Sequence, residues 1–255
     1  MINLKLLALP PFTLLQNNMR LFFAVLLTGF CLQTSIAQTG GWLTRPRVQK
    51  LQNFDKPILS WGYYFGMNNL DFNFDYREDR PDVQVQREMG FNVGMIGDLR
   101  LSEHINLRLE PGLVYSQRNL MYPDNPLFPT EEDQIREVGS TYIYVPLLIR
   151  FSTKRLNNIK PFTTFGVAYA YNLSSNERNP DDNADGQFRM LSRPFFYDIG
   201  FGIDLYLDRF KLTPSIRGVF AVSNELIPDD AINSPWTSNI TKMSTRGIFL
   251  NLTFQ

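Results

Sequence analysis

Alternating apolar and polar residues run from about residue 57 to the C-terminus, and this period of two predicts β-strands rather than helices. The clearest stretch is 195–206, where six large apolar residues alternate with Phe, Asp, Gly and Tyr. Eight such stretches can be placed. They are 59–68, 89–100, 105–116, 142–151, 164–172, 195–206, 211–220 and 247–254.

The two faces of these strands differ in an unusual way. One face is almost purely aliphatic and aromatic, while the other carries Gly, Ala, Asn, Ser and charged residues. A Gly-rich polar face suits a narrow interior better than a surface in water, so the apolar face is predicted to meet lipid. The predicted fold class is all-β, an eight-stranded antiparallel transmembrane up-and-down β-barrel. The alternative is a soluble eight-stranded barrel that holds a lipid ligand.

The links between strands alternate in length. Short links follow the second, fourth and sixth strands, and long links follow the first, third, fifth and seventh, at 75–88, 118–140, 174–193 and 223–243. This pattern is typical of outer-membrane barrels, with both termini periplasmic and the long loops extracellular. The last strand, 245–254, looks like the signal read by the barrel assembly machinery during insertion, although Gln255 follows the terminal aromatic residue.

The N-terminus is predicted to be a signal peptide, residues 1–37, with 1–18 an upstream extension and Met19 the start. Arg20 precedes an apolar run at 21–32, which is too short for a membrane-spanning helix, and Ala37 ends a small-residue cleavage site. The alternative is an amphipathic N-terminal anchor. Residues 38–57 are then a periplasmic segment, and 58–255 form the barrel.

Composition excludes several classes of function. The chain has 25 basic and 25 acidic residues, so no global charge draws it to nucleic acid. Its single Cys and single His exclude disulfide frameworks, Cys/His zinc sites and Cys–His nucleophile pairs. We therefore expect no cofactor and no catalytic residues, and outer-membrane lipid as the surroundings of the barrel.

Charged residues of both signs are expected on the inward faces of the strands. Because an unpaired buried charge is costly, these groups are predicted to pair as a structural salt-bridge network rather than as a conduit or a catalytic site. The predicted network contains Asp98, Arg100, Arg108, Glu110, Arg150, Asp198, Asp204, Arg217 and Arg246.

Two further segments are candidates for binding. Asp181, Asn183 and Asp185, followed by Gly, match the opening of a calcium loop, but the twelfth position is Ser192 instead of Glu, which favours a simple turn. The segment before the barrel contains residues suited to docking a periplasmic partner, or it is only a linker. Those residues are Trp42, Arg45, Arg47, Phe54 and Asp55.

Several motifs together resemble the PorT family (SprT in gliding bacteria) of small outer-membrane barrels in the phylum Bacteroidota. The motifs lie at 51–57, 70–75, 144–148, 151–155, 214–220 and 245–252. Gln52 departs from the family, in which a Leu-Pro-Asn-Phe-Asp opening is expected.

The resemblance implies a non-enzymatic accessory component of type IX protein secretion, which exports cargo with C-terminal targeting domains and, in gliders, adhesins. Its partners would be other type IX secretion components, unidentified here. The alternative is a general small barrel of the OmpA or OmpX kind, with a structural or adhesive role and no part in secretion.

Overall fold

A computed structural model describes residues 48–78, 82–123, 128, 131–231 and 233–255 of the 255-residue chain. Two 3-10 turns, Glu131–Gln134 and Asn183–Asp185, are the helical elements of this part. Within it, no helix is long and apolar enough to cross a membrane. The strands are β1 (Leu59–Tyr76), β2 (Gln84–Arg87), β3 (Met89–Arg100), β4 (Ile105–Leu109), β5 (Gly112–Met121), β6 (Ile135–Ser152), β7 (Ile159–Asn172), β8 (Phe195–Tyr206), β9 (Lys211–Ala221) and β10 (Ile240–Phe254).

The ten segments close into a ring of eight antiparallel strands. Strand β1 pairs with β10 on one side and with β3 on the other, so the sheet has no free edge at this seam. From β10 the order continues through β9, β8, β7 and β6, and then through β4 and β5 back to β3. The predicted eight-stranded antiparallel up-and-down barrel is therefore confirmed.

Two of the eight strands are interrupted, which is why ten segments are seen. Between β4 and β5, Pro111 has no N–H to donate, but its carbonyl accepts from the Met95 N–H at 2.9 Å. Between β2 and β3, the Glu88 N–H still donates to the Gln117 carbonyl at 3.2 Å. Both interruptions keep neighbouring backbone groups bonded, so the ring stays intact across them.

The barrel is apolar outside and polar inside near the short turns. Outward side chains such as Trp61, Phe165 and Ile199 are 69%, 55% and 56% exposed. On the inner face, by contrast, the polar side chains of Asp98 and Thr213 are buried. This reversal of the usual arrangement matches the prediction and is what a lipid-facing wall requires.

The strands are longer than a membrane crossing needs. Both β1 and β6 have 18 residues, whereas a tilted membrane strand needs roughly 9–11. On β1 the outward residues change from Met67, which is apolar, to Asn69 and Asp71. The extra length lies at the long-loop end, so the links after β1, β5 and β9 are shorter than predicted, as at 77–83 after β1. The link after β7, at 173–194, is slightly longer than the predicted 174–193.

Candidate functional site in the barrel lumen

The lumen near the short turns holds a layer of eight charged side chains, each no more than 5% exposed. Four are cations and four are acids, so the layer is formally neutral. Its members are Asp98, Arg108, Glu110, Arg150, Asp198, Asp204, Lys211 and Arg217.

One branch of this charged layer runs through Glu110. Arg108 contacts Asp98 at 2.7 Å and Glu110 at 3.4 Å. Arg217 contacts the same Glu110 at 2.8 Å and Asp198 at 3.4 Å. Glu110 thus joins two arginines from opposite parts of the ring. Each buried charge has an opposite partner, as burial demands.

A second branch is centred on Asp204. Its carboxylate pairs with Arg150, lies 3.9 Å from the Lys211 Nζ, and accepts from the Thr213 hydroxyl at 2.7 Å. The Arg150 guanidinium stacks over the Phe162 ring at 3.7 Å and lies 4.0 Å from Asp98, which links the two branches.

Seven of the nine residues predicted for the network lie together in this layer, and two do not. Arg246 lies two residues before Ile248 on β10, so its side chain points outward on the same face as Ile248. There it pairs with Asp71 at 3.2 Å. Arg100 lies at the end of β3 and donates to the Asp55 carbonyl at 2.7 Å, outside the layer. The prediction that Arg100 and Arg246 belong to the network is therefore wrong.

Sequence reasoning missed Lys211, although its alternation with Leu212 already placed it inward. It also missed Arg118, which was assigned to a loop but continues the inward series of β5 after Ser116. Parity within the strands could have identified both. The buried Glu225 lies in a link between strands, and no periodic signal marks it.

Above the charged layer, aromatic rings cross the lumen. Tyr144 makes edge contacts with Phe196 and Phe249, at centroid distances of 5.6 and 5.7 Å, and its hydroxyl donates to Asp198 at 2.5 Å. Tyr142 contacts Phe196 in the same manner. This layer fills the centre of the barrel and orients one carboxylate of the layer below.

A buried polar bridge follows at the level where the strands leave the apolar band. Arg118 donates to the Thr245 hydroxyl at 3.2 Å, and that hydroxyl lies 3.0 Å from the Glu225 carboxylate. The Thr245 N–H also donates to Glu225 at 2.7 Å. Burial raises the pKa of the Glu225 carboxyl, while these hydrogen bonds and the nearby Arg118 charge oppose that rise.

The long-loop mouth is covered by an apolar cluster that is drawn mainly from two links and includes Tyr122 from a third. Phe188 and Met190 come from the link after β7, and Leu226 and Trp236 come from the link after β9. The Trp236 indole N–H donates to the Asp133 carbonyl at 2.9 Å. We call this group the loop cluster. It packs directly on inward residues of the strand ends, including Phe72, Leu120 and Met243.

The calcium-like segment forms a turn beside the loop cluster. Asn183 is buried and donates to Asp229 at 2.9 Å, while Asp181 and Asp185 are exposed. Gly186 follows in the left-handed conformation, with φ of 79°. Within the described residues, no group of three or more His, Cys, Asp or Glu side chains is arranged to hold a metal ion.

The opposite mouth, which we call the lower mouth, is partly covered by residues 48–57. The Phe54 ring makes an edge contact with Tyr206 at 6.5 Å, and the Asp55 carboxylate accepts from the Tyr206 hydroxyl and lies 3.7 Å from Lys160. The Arg155 guanidinium donates a hydrogen bond to the Leu51 carbonyl at 3.3 Å. Phe54 and Asp55 therefore contact the barrel itself. The other candidate docking residues, Trp42, Arg45 and Arg47, lie outside the described residues.

His104, the single imidazole, lies in the short turn after β3, where its Nδ1 is 3.2 Å from the Ser152 carbonyl oxygen. The long-loop mouth, at the other end of the barrel, is occupied by the apolar loop cluster.

A closed ring of lipid-facing strands around a neutral, side-chain-filled lumen defines a small outer-membrane β-barrel. The chain belongs to the family described as outer membrane protein beta-barrel domain, whose model matches residues 51–226.

Solved structures of small outer-membrane barrels are similar to this chain. OprG from Pseudomonas aeruginosa has a TM-score of 0.44 and 10% identity, with 76% of this chain and 93% of OprG covered. AlkL, solved in DMPC lipid bilayers, has a TM-score of 0.42 and 10% identity, with coverage of 85% and 96%. Neisserial surface protein A has a TM-score of 0.38 and 7% identity, with coverage of 76% and 97%. A search of curated protein sequences finds no match.

Proposed function

We propose that this outer-membrane barrel is a non-enzymatic accessory component of type IX protein secretion that acts through its ends and not as a channel. The observation that carries the proposal is the filled lumen. Asp198, Tyr142 and Met243 lie at three successive levels and are 0%, 2% and 0% exposed. Side chains at these levels leave no room for a secreted protein to pass.

The secretion role itself comes from the resemblance to the PorT family. Three of the resembling motifs lie side by side in the barrel wall. Segment 70–75 of β1 pairs with 242–247 of β10, and segment 214–220 of β9 pairs with 246–252 of β10. These three motifs therefore form one continuous section of the wall, while the motifs at 144–148 and 151–155 lie on and just after β6, in another part of the ring.

Orientation follows from the two unequal ends. We propose that the short turns and both termini face the periplasm, and that the links carrying the loop cluster face the exterior. In this orientation, the segment that partly covers the lower mouth is the part of the barrel that periplasmic secretion components reach.

Deletion of the gene in its own host tests the secretion role. The measurement is the fraction of cargo with C-terminal targeting domains that reaches the cell surface, with uptake of a small dye as the control for leakage. We expect cargo to accumulate in the periplasm while the dye stays excluded. Complementation by the wild-type gene should restore export.

Normal export in the deletion strain would contradict the secretion role. A general structural or adhesive barrel of the OmpA kind would then be the better description, since the compact loop cluster is compatible with surface contacts. Dye entry together with failed export would instead indicate general damage to the envelope.

A further inference from the structure

A polar cavity of about 240 Å³ lies at the short-turn mouth, between residues 54–57 and the barrel rim. The turns after β3 and β6, the start of β4 and the first residues of β7 and β9 complete its wall. At roughly 30 Å³ per water molecule, this volume takes one or two carboxylate groups with a few waters.

Cations outnumber acids in the wall of this cavity. Six cations line it: Lys56, Arg100, Lys154, Arg155, Lys160 and Lys211. Of the three acids that face them, Asp98 pairs with Arg108 at 2.7 Å, and Asp55 accepts from the Tyr206 hydroxyl and pairs with Lys160. Glu103 is the third acid, on an exposed turn. Among the cations, Lys160 is paired with Asp55 and Lys211 with Asp204, which leaves the other four. The cavity therefore has an excess of positive charge and of hydrogen-bond donors.

The cavity is built from fixed parts. The Lys211 side chain is 6% exposed, and its Nζ lies 3.9 Å from Asp204 and 5.0 Å from the Phe54 ring centroid. Arg100 donates to the Asp55 and Lys56 carbonyls at 2.7 and 3.2 Å, which holds the segment over the mouth. Cationic groups are thus already in place before an anion enters.

The geometry points to a site for an acidic peptide segment of a periplasmic protein. The cavity opens at the end of the barrel, whereas lipid covers the outer wall. A lipid head group therefore lies beside the wall and does not face the opening of the cavity. Carboxylates match lysine and arginine donors in this layout through charge-assisted hydrogen bonds. The assignment of this mouth to the periplasm rests on the orientation proposed above. The binding site itself does not depend on the proposed role in secretion.

The opposite end differs in charge. The links that form the loop cluster carry paired acids at 181–182 and 229–230. An acidic peptide is therefore attracted to the short-turn mouth and repelled at the long-loop mouth. This asymmetry predicts binding at one end only.

Binding of a labelled hexaglutamate peptide to the purified protein in neutral-lipid nanodiscs tests this proposal. Lys56 and Lys154 are exposed residues of the cavity wall, so a K56Q/K154Q variant should fold normally. We expect its affinity for the peptide to fall by about tenfold, and wild-type binding to weaken as salt rises. A matched control, K242Q/R193Q, removes two cations near the other end and should bind like wild type.

Three results would overturn the site. Equal binding by wild type and K56Q/K154Q would show that the cavity does not hold the peptide, as would equal loss in the control variant. Binding of inorganic phosphate but not of hexaglutamate would assign the cavity to a small free anion. Because the assay uses purified protein, its failure is separate from a failure of the export test in cells.

Discussion

Two arginines that the sequence placed in the same network should differ sharply when each is replaced by Met. Arg217 is 5% exposed and contacts Glu110 at 2.8 Å and Asp198 at 3.4 Å. Arg246 has a side chain that is 52% exposed and contacts Asp71 at 3.2 Å. Both changes keep an unbranched apolar stem and remove one positive charge.

The expected magnitudes follow from burial. Arg217→Met leaves two buried carboxylates with one fewer cation, and breaking a buried pair costs about 3–5 kcal/mol. Arg246→Met breaks a pair that water screens, which costs less than about 1 kcal/mol. Adding Glu110→Gln to Arg217→Met should recover part of the loss, because one uncompensated buried charge is then removed.

Urea unfolding of the barrel in lipid vesicles measures these differences, with tryptophan fluorescence as the signal and folded and unfolded baselines for every variant. The midpoint should shift strongly for Arg217→Met and little for Arg246→Met. Equal losses of stability, or a larger loss for Arg246→Met, would refute the assignment of the two arginines to opposite faces of the wall.

Three further outcomes are expected. Ile199→Arg, on the lipid face, should lower stability by about 2–4 kcal/mol in the same unfolding assay. Trp236→Ala should lower the local stability of the loop cluster by about 3–5 kcal/mol, measured by hydrogen exchange. Burial raises the Glu225 pKa, so protonation of this carboxyl stabilises the folded state. That contribution is fully present below the unfolded-state pKa and is lost as pH rises through the native pKa. Trp236 fluorescence, with Trp42 and Trp61 changed to Phe, should report this dependence, and Glu225→Gln should abolish it.

The alternation of residues was the most informative signal in the chain. It predicted which side chains of a strand share a face, because successive side chains in a strand point to opposite sides. Arg246 was assigned inward against that rule, and its outward position follows directly from the parity of Ile248. Lys211 was overlooked although the same rule placed it inside.

By itself, then, the sequence determined the class of fold, the lipid-facing residues and most of the charged layer, since these follow from local periodicity. Only the tertiary structure decided which charges meet, because Glu110 and Arg217 are 107 residues apart and are joined by ring closure. It also decided the burial of Glu225 and Trp236 and the partial covering of the lower mouth by Phe54. Links have no periodic pattern, so their contacts depend on the shape of the barrel end on which they pack.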